Sequence, residues 1–213
     1  MMEDWYAETD ARESVGEINV PPMSFIQGLV MGNGLHRIVQ LGHYFGYSTL
    51  LIGTMLRSMR AQPGLVSIDI DPAATAFTQK WVDRAGLNDH VHLHVGDSAA
   101  ESSYDRAVQL LGGPPELLII DSSHQYAHTL RELDLWVPRL PVGAIVLMHD
   151  TSAFATGYDS THEGGVRRAV EEWVPEHPEV RFLNLNAHVV EGTDGNTLTY
   201  KDGCGLGIMQ RVA

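Results

Sequence analysis

Cysteine is nearly absent: Cys204 is the only one in 213 residues, which excludes an intramolecular disulfide and agrees with a reducing compartment such as the cytoplasm. Long apolar runs are missing too. The longest, at residues 117–120 and 144–148, are of strand length, and no segment is long enough to span a bilayer. The opening MMEDWYAETDARES is acidic and lacks an apolar h-region, so it does not read as a secretory leader. Basic residues are scarce, 14 Lys and Arg against 27 Asp and Glu, for a formal net charge of −13. Phosphate backbones are bound chiefly through Lys and Arg, and no basic cluster exceeds Arg167-Arg168. Nucleic acid and anionic membrane are therefore disfavoured as partners, and a small molecule is expected. What is present, 44% apolar and 19% charged residues, is ordinary for a globular chain, and the length suits one domain with a buried core.

Short aliphatic or β-branched runs alternate with longer amphipathic stretches, as in a parallel sheet with crossover helices. Strands are predicted at residues 37–41, 65–69, 91–95, 117–121, 144–149, 180–185 and 204–211. Helices are predicted at 48–60, 73–85, 103–111, 126–140 and 165–177, with a further one over about 20–35. After the strand at 180–185 comes a polar Gly/Asn/Thr segment and then a strand with no helix between. That order implies a terminal hairpin whose last strand runs antiparallel to the rest. The expected fold is α/β: seven strands, mostly parallel, with helices on both faces.

The chemistry-bearing residues fall at the carboxyl ends of the strands. Arg37-Ile-Val-Gln-Leu-Gly-His-Tyr-Phe-Gly-Tyr-Ser-Thr49 reads as strand, glycine turn and helix start. Gly42 permits a sharp turn, Gly46 permits close approach of a ligand, and Ser48 or Thr49 is placed to cap the next helix. The same pattern also suits a βα turn that holds no ligand. Asp69, at the tip of the second strand, is placed to accept ribose hydroxyls, or else is a solvated loop acid. Asp71 should cap the helix beginning at Pro72. Val95-Gly-Asp-Ser98 follows the third strand, with Asp97 and Ser98 positioned for an adenine edge.

With these residues in place, the chain resembles the class I S-adenosylmethionine-dependent O-methyltransferases of the catechol and macrolide-sugar type, over about residues 38–172. The resemblance implies a Rossmann-like sheet and binding of S-adenosylmethionine by Gln40, Gly42, Tyr44, Gly46, Ser48, Asp69, Asp97, Ser98 and Asp121. Gln40 stands where the motif usually has an acid. It further implies a divalent metal, Mg²⁺ or Mn²⁺, on Asp121 and Asp150. Asp121 and His124 follow strand four, and His149-Asp150-Thr151 replaces the usual Glu-Asp or Asp-Asn at the tip of strand five. His149 is the candidate third ligand, which makes borderline metals eligible, although a packed strand histidine is the alternative. His124 stands where relatives carry a lysine or histidine base and can take a hydroxyl proton. An Asp-Ser-Ser-His turn that merely caps a helix is the plainer alternative.

Two competing functions stay in view. An NAD-dependent oxidoreductase predicts Gly-x-Gly-x-x-Gly, and this chain has Gly42-x-x-x-Gly46 without the middle glycine. A non-catalytic cofactor-binding module has no need of Asp121, His124 and Asp150. His90, His92 and His94 share one strand face without a metal pattern. His128 is near the substrate or in solvent. Trp81, Trp136 and Trp173 are expected in the core, and Cys204 as a small strand residue. The substrate side falls to the N-terminal segment, residues 1–35, and to a candidate lid at 152–165 with Phe154, Tyr158 and His162. Oligomeric state is unread, and a homodimer is compatible.

Overall fold

Alternation along the strands divides the core into two layers. In β1 (Arg37–Leu41), Val39 and Leu41 point to one face of the sheet and Ile38 to the other. In β4 (Leu117–Ile120), Leu118 and Ile120 share the first face and Leu117 and Ile119 the second. Strands apolar on both sides must be covered on both. The computed structural model, which describes residues 2–9, 18–190 and 197–213, shows how. α2 (Val20–Asn33), α3 (Tyr47–Met59) and α4 (Pro72–Ala85) cover one face, with α1 (Met2–Thr9) adding Trp5. α5 (Glu101–Leu111), α6 (Tyr126–Trp136) and α7 (Gly165–Trp173) cover the other.

The remaining strands are β2 (Gly64–Asp69), β3 (Val91–Val95), β5 (Ile145–His149), β6 (Val180–Leu185) and β7 (Leu206–Arg211). The sheet order is β3-β2-β1-β4-β5-β7-β6. β1 to β5 are parallel, while β7 runs antiparallel to both β5 and β6. The mostly parallel sheet and the terminal hairpin are as the sequence predicts. Strand order reverses between β1 and β4, and ligands of open α/β sheets bind outside the carboxyl ends of the strands at such a point.

Several local expectations need correction. Ser48 and Thr49 do not cap α3: Gly46 is the N-cap, in a left-handed conformation at φ 84°, with no side-chain cap bond. Cys204 lies outside β7, which starts at Leu206 after Gly205 turns the backbone at φ 85°. The predicted helices at 126–140 and 165–177 stop at Trp136 and Trp173 and continue as 3-10 turns carrying Pro138 and Pro175. Proline has no N–H for the α-helical ladder, so the helix tightens and ends there. Asp71 caps α4 as expected, accepting from the Ala73 N–H at 2.7 Å. Trp81, Trp136 and Trp173 are buried. Residues 10–17 of the N-terminal segment and 191–196 of the polar loop before β7 lie outside the described residues.

Candidate functional site

A cavity of about 1030 Å³ opens above the carboxyl ends of β1, β2, β4 and β5. Its first wall is the glycine turn. The Gly42 N–H donates to Ile68 O at 2.8 Å, and a Cβ at Gly42 would lie 2.0 Å from the Asp121 carbonyl oxygen. Glycine is thus required where β1 passes β4. Gly46 has a different reason from the expected one, since a Cβ there would meet Thr78 of α4 at 2.5 Å. Its missing side chain makes room for a helix, and Gly46 is not among the cavity-lining residues. Gln40 is fully buried beneath the turn. Its amide donates to Gly42 O (2.9 Å) and Ser48 Oγ (2.7 Å) and accepts from Thr49 Oγ1 (2.9 Å), so it shapes the loop from behind.

Asp69 is no free loop acid. One carboxylate oxygen accepts from the N–H groups of His43 (2.9 Å) and Tyr44 (2.8 Å), the other from that of Asp71 (2.9 Å). It lines the cavity together with Tyr44 and Ser48, so strand two's acid and the glycine turn are locked together. Asp97 and Ser98 line it as well. Ser98 donates to Glu132, which is fully buried on α6 and also accepts from Ser122 Oγ at 2.9 Å. His128, 3.2 Å from the same carboxylate, lines the cavity and is not in solvent. The sequence reading missed Ile70, 71% exposed beside Asp69 on the cavity lip, as well as Glu132 and Ser122.

His43, another omission, is buried beneath the loop with Nδ1 3.1 Å from Ser67 Oγ and Nε2 3.0 Å from Thr75 Oγ1. Burial pushes its pKa down from 6.5 to about 4, against the pull of Asp69. The folded pKa lies below the unfolded one, so the neutral ring's contribution is complete above pH 6.5 and is lost as pH falls through about 4. At about 1.4 kcal/mol per unit, the loss is on the order of 3–4 kcal/mol. Thermal melts of wild type and His43→Asn should therefore diverge in slope between about pH 7 and about pH 4.5, with the wild type losing more. Parallel slopes would show that His43 does not titrate across folding.

The far wall holds a cluster of two aspartates and two histidines. His124 Nε2 is 3.1 Å from Asp150 Oδ2 and 3.7 Å from Asp121 Oδ1. His149 Nδ1 is 3.4 Å from the same Asp150 oxygen and 3.6 Å from the same Asp121 oxygen. Asp121, His124 and Asp150 could hold a metal ion with ligand atoms all within 4.8 Å, and so could His149, Asp202 and Cys204. The four predicted residues therefore converge, and Asp202 and Cys204 from the β6–β7 connection join them unforeseen. Burial favours the uncharged carboxyl at Asp121, but bonds from His124 and His149 hold it far below the ordinary carboxylate range. Burial also opposes charge on both histidines, yet Asp121 and Asp150 raise them, with Asp202 adding to His149. His124 (φ 59°) and Asp150 (φ 61°) both have left-handed backbones, a cost of about 1–2 kcal/mol each that tends to collect at functional sites.

The segment at 152–165 contributes Tyr158, which lines the cavity with its ring centroid 6.0 Å from that of His124. Burial and the neighbouring Cys204 push the Tyr158 hydroxyl up to about 12. Phe154 packs edge-on against Tyr158 at 5.8 Å, and neither it nor His162 lines the cavity. Asp159 ties the segment down, accepting from Thr161, Glu163 and Gly165 N–H groups. Of the N-terminal segment, Asn19 reaches the cavity.

A family model described as a methyltransferase domain matches residues 39–151, just over half of the chain. A catechol O-methyltransferase of Niastella koreensis is 30% identical over 119 residues, covering 53% of this chain and 52% of that one. A transmembrane O-methyltransferase of Homo sapiens is 34% identical over 113 residues, covering 52% and 37%. The matched stretch thus spans about half of these relatives or less. Among solved structures, an O-methyltransferase from Bacillus cereus in complex with SAH superposes with a TM-score of 0.76 at 18% identity, covering 99% and 90%. The O-methyltransferase TomG from Streptomyces achromogenes, in complex with SAM, gives 0.71 at 17% identity, covering 99% and 87%. At such identities the structures speak to the fold, and the family model to descent. The segment it matches runs from the glycine turn to the His149-Asp150 tip, and the chain belongs to the methyltransferase domain family.

Proposed function

We propose that this chain transfers a methyl group from S-adenosylmethionine to a hydroxyl of a small molecule, with His124 as base and a divalent cation on Asp121 and Asp150. The observation that carries this reading is the convergence of His124, Asp121 and Asp150 on the same cavity as Gly42, Asp69 and Ser98. The catechol O-methyltransferase relative supports the hydroxyl acceptor. Asp69, anchored to the glycine turn, offers its remaining lone pairs to ribose hydroxyls; Asp97, Ser98 and Ile70 frame the purine side. When bound, the sulfonium cofactor supplies an activated methyl group and the cation a Lewis acid that acidifies the acceptor hydroxyl.

The chain's own residues do the rest. His124, with a third of its side chain exposed, faces the cavity and takes the hydroxyl proton on Nε2. The acceptor oxygen bonds to the methyl carbon as the S–CH₃ bond breaks, leaving S-adenosylhomocysteine. Tyr158 and the Asp159-anchored segment border the acceptor and limit water. The donor set fits a cation, because Asp121 and the buried Asp150 present carboxylate oxygens from adjacent strand tips.

No helix among the described residues is long and apolar enough to cross a membrane. In this reading residues 1–213 form one methyltransferase domain, cytoplasmic and compatible with a homodimer, and the −13 charge fits a small-molecule acceptor better than nucleic acid. The test is release of S-adenosylhomocysteine from S-adenosylmethionine with a panel of catechols, phenols and sugar alcohols, before and after EDTA. Turnover should disappear on chelation and return with Mn²⁺ or Mg²⁺. Undiminished turnover in metal-free buffer would remove the cation from the reading.

A further inference from the structure

His149 ends β5, and its two ring nitrogens face different groups. Nδ1 looks toward Asp121 and Asp150, at 3.6 and 3.4 Å, whereas Nε2 lies 3.1 Å from Asp202 Oδ2. Asp202 is fully buried. Its other oxygen accepts from Asn19 Nδ2 at 3.1 Å and from the Cys204 N–H at 3.2 Å. The carboxylate is thus held from two sides and turned toward the imidazole. The hairpin explains how a residue 53 positions away arrives there. His149 pairs with Leu206 in the antiparallel β5–β7 ladder, so the chain just before Leu206 must pass over the tip of β5.

A histidine that donates one ring N–H to a carboxylate has its ring orientation fixed and its other nitrogen free to bind a metal. Two ligands each about 2.1 Å from one cation stand roughly 3.0–3.4 Å apart, close to the separations of Nδ1 from its two carboxylate neighbours. We infer that Asp202 is a positioning residue: through Nε2–H it aims His149 so that Nδ1 becomes a nitrogen ligand beside Asp121 and Asp150. The site is then a mixed nitrogen and oxygen site, which favours a borderline first-row cation such as Mn²⁺, Fe²⁺ or Co²⁺ over Mg²⁺, a cation that prefers oxygen alone. This rests on the metal-assisted reading above and adds which atom ligates and what aims it. Asp202 and Asn19 both lie outside the stretch that the family model matches.

The experiment loads the full chain with Mn²⁺ and records pulsed electron paramagnetic resonance, which detects a directly bound imidazole nitrogen without any turnover. Wild type should show coupling to one such ¹⁴N, and His149→Gln should lose it. Asp202→Ala should weaken Mn²⁺ binding by about 10–100-fold, whereas Asp202→Asn, which keeps an acceptor oxygen, should recover most of that loss. Melting temperature and S-adenosylhomocysteine binding, measured on each variant, report whether the fold survives. Mg²⁺ should displace Mn²⁺ only in large excess. Bound Mn²⁺ with no nitrogen coupling in wild type overturns this inference and leaves the metal-assisted reading standing. Unchanged Mn²⁺ affinity in Asp202→Ala overturns the role of Asp202. Failure of wild type to bind Mn²⁺ at all removes both.

Discussion

Replacing His124 by alanine should lower turnover by about 10²–10⁴-fold, the range for loss of a general acid or base, and should leave S-adenosylhomocysteine affinity within about twofold of wild type. The split follows from position. His124 lines the cavity, with Nε2 at 3.1 and 3.7 Å from Asp150 and Asp121. The groups proposed to hold the cofactor, Asp69 and the turn at Gly42, are fixed by backbone bonds that do not involve it. His124→Gln is the companion variant, since it keeps a polar side chain of similar reach but takes no proton. Both should lose turnover alike. The measurement is kcat with the best acceptor of the panel, together with calorimetric binding of S-adenosylhomocysteine. A kcat within a few-fold of wild type in both variants would show that the proton goes elsewhere. Loss of cofactor binding in both would make His124 a structural support of the pocket.

Gly42→Ala is expected to cost more than about 4 kcal/mol, which for a chain of this size lowers the melting temperature by about 10 °C, and to abolish cofactor binding. Two effects add. The backbone at Gly42 has φ 85°, which disfavours any side chain. The new Cβ would also lie 2.0 Å from Asp121 O, 2.7 Å from Asp121 C and 2.9 Å from Ser122 Cα. These are backbone atoms of the neighbouring strand end, fixed by the bond from Asp121 N–H to Leu41 O at 2.9 Å, so they cannot swing aside. Gly46→Ala is the informative contrast, because the nearest atoms its Cβ would meet belong to the Thr78 side chain. Combined with Thr78→Ala, it should recover part of its own loss, whereas no single side-chain truncation rescues Gly42→Ala. Wild-type melting and binding in Gly42→Ala would contradict the close passage of β1 and β4.

These two glycines also mark how far a sequence can be read. The strand, turn and helix around Gly42 were legible because apolar periodicity and glycine spacing are local signals, and β1, β3 and β6 have the predicted bounds. That Gly46 clears space for Thr78 depends on how α4 packs, which no local pattern records. The convergence of Asp121, His124, His149 and Asp150 was legible because all lie at or just beyond the tips of adjacent parallel strands. Asp202 was not, since its contact with His149 depends on the register of a hairpin formed across more than fifty residues. Likewise the sequence does not single out Glu132, and it leaves His128 between the substrate and solvent. Their hold on Ser98 and Ser122 arises only when α6 packs beside the ends of β3 and β4. Cys204 stands just before the apolar stretch at 206–209 and so read as strand, but the Gly205 turn puts it on the cavity wall.

The most direct test of the account is calorimetry of the purified chain with S-adenosylhomocysteine and, separately, with NAD. One S-adenosylhomocysteine site per chain and no NAD site are expected. Asp69→Ala should weaken binding by about tenfold or more, as expected for loss of a charged hydrogen-bond acceptor. Binding of NAD with no response to S-adenosylhomocysteine would contradict the assignment of the cavity.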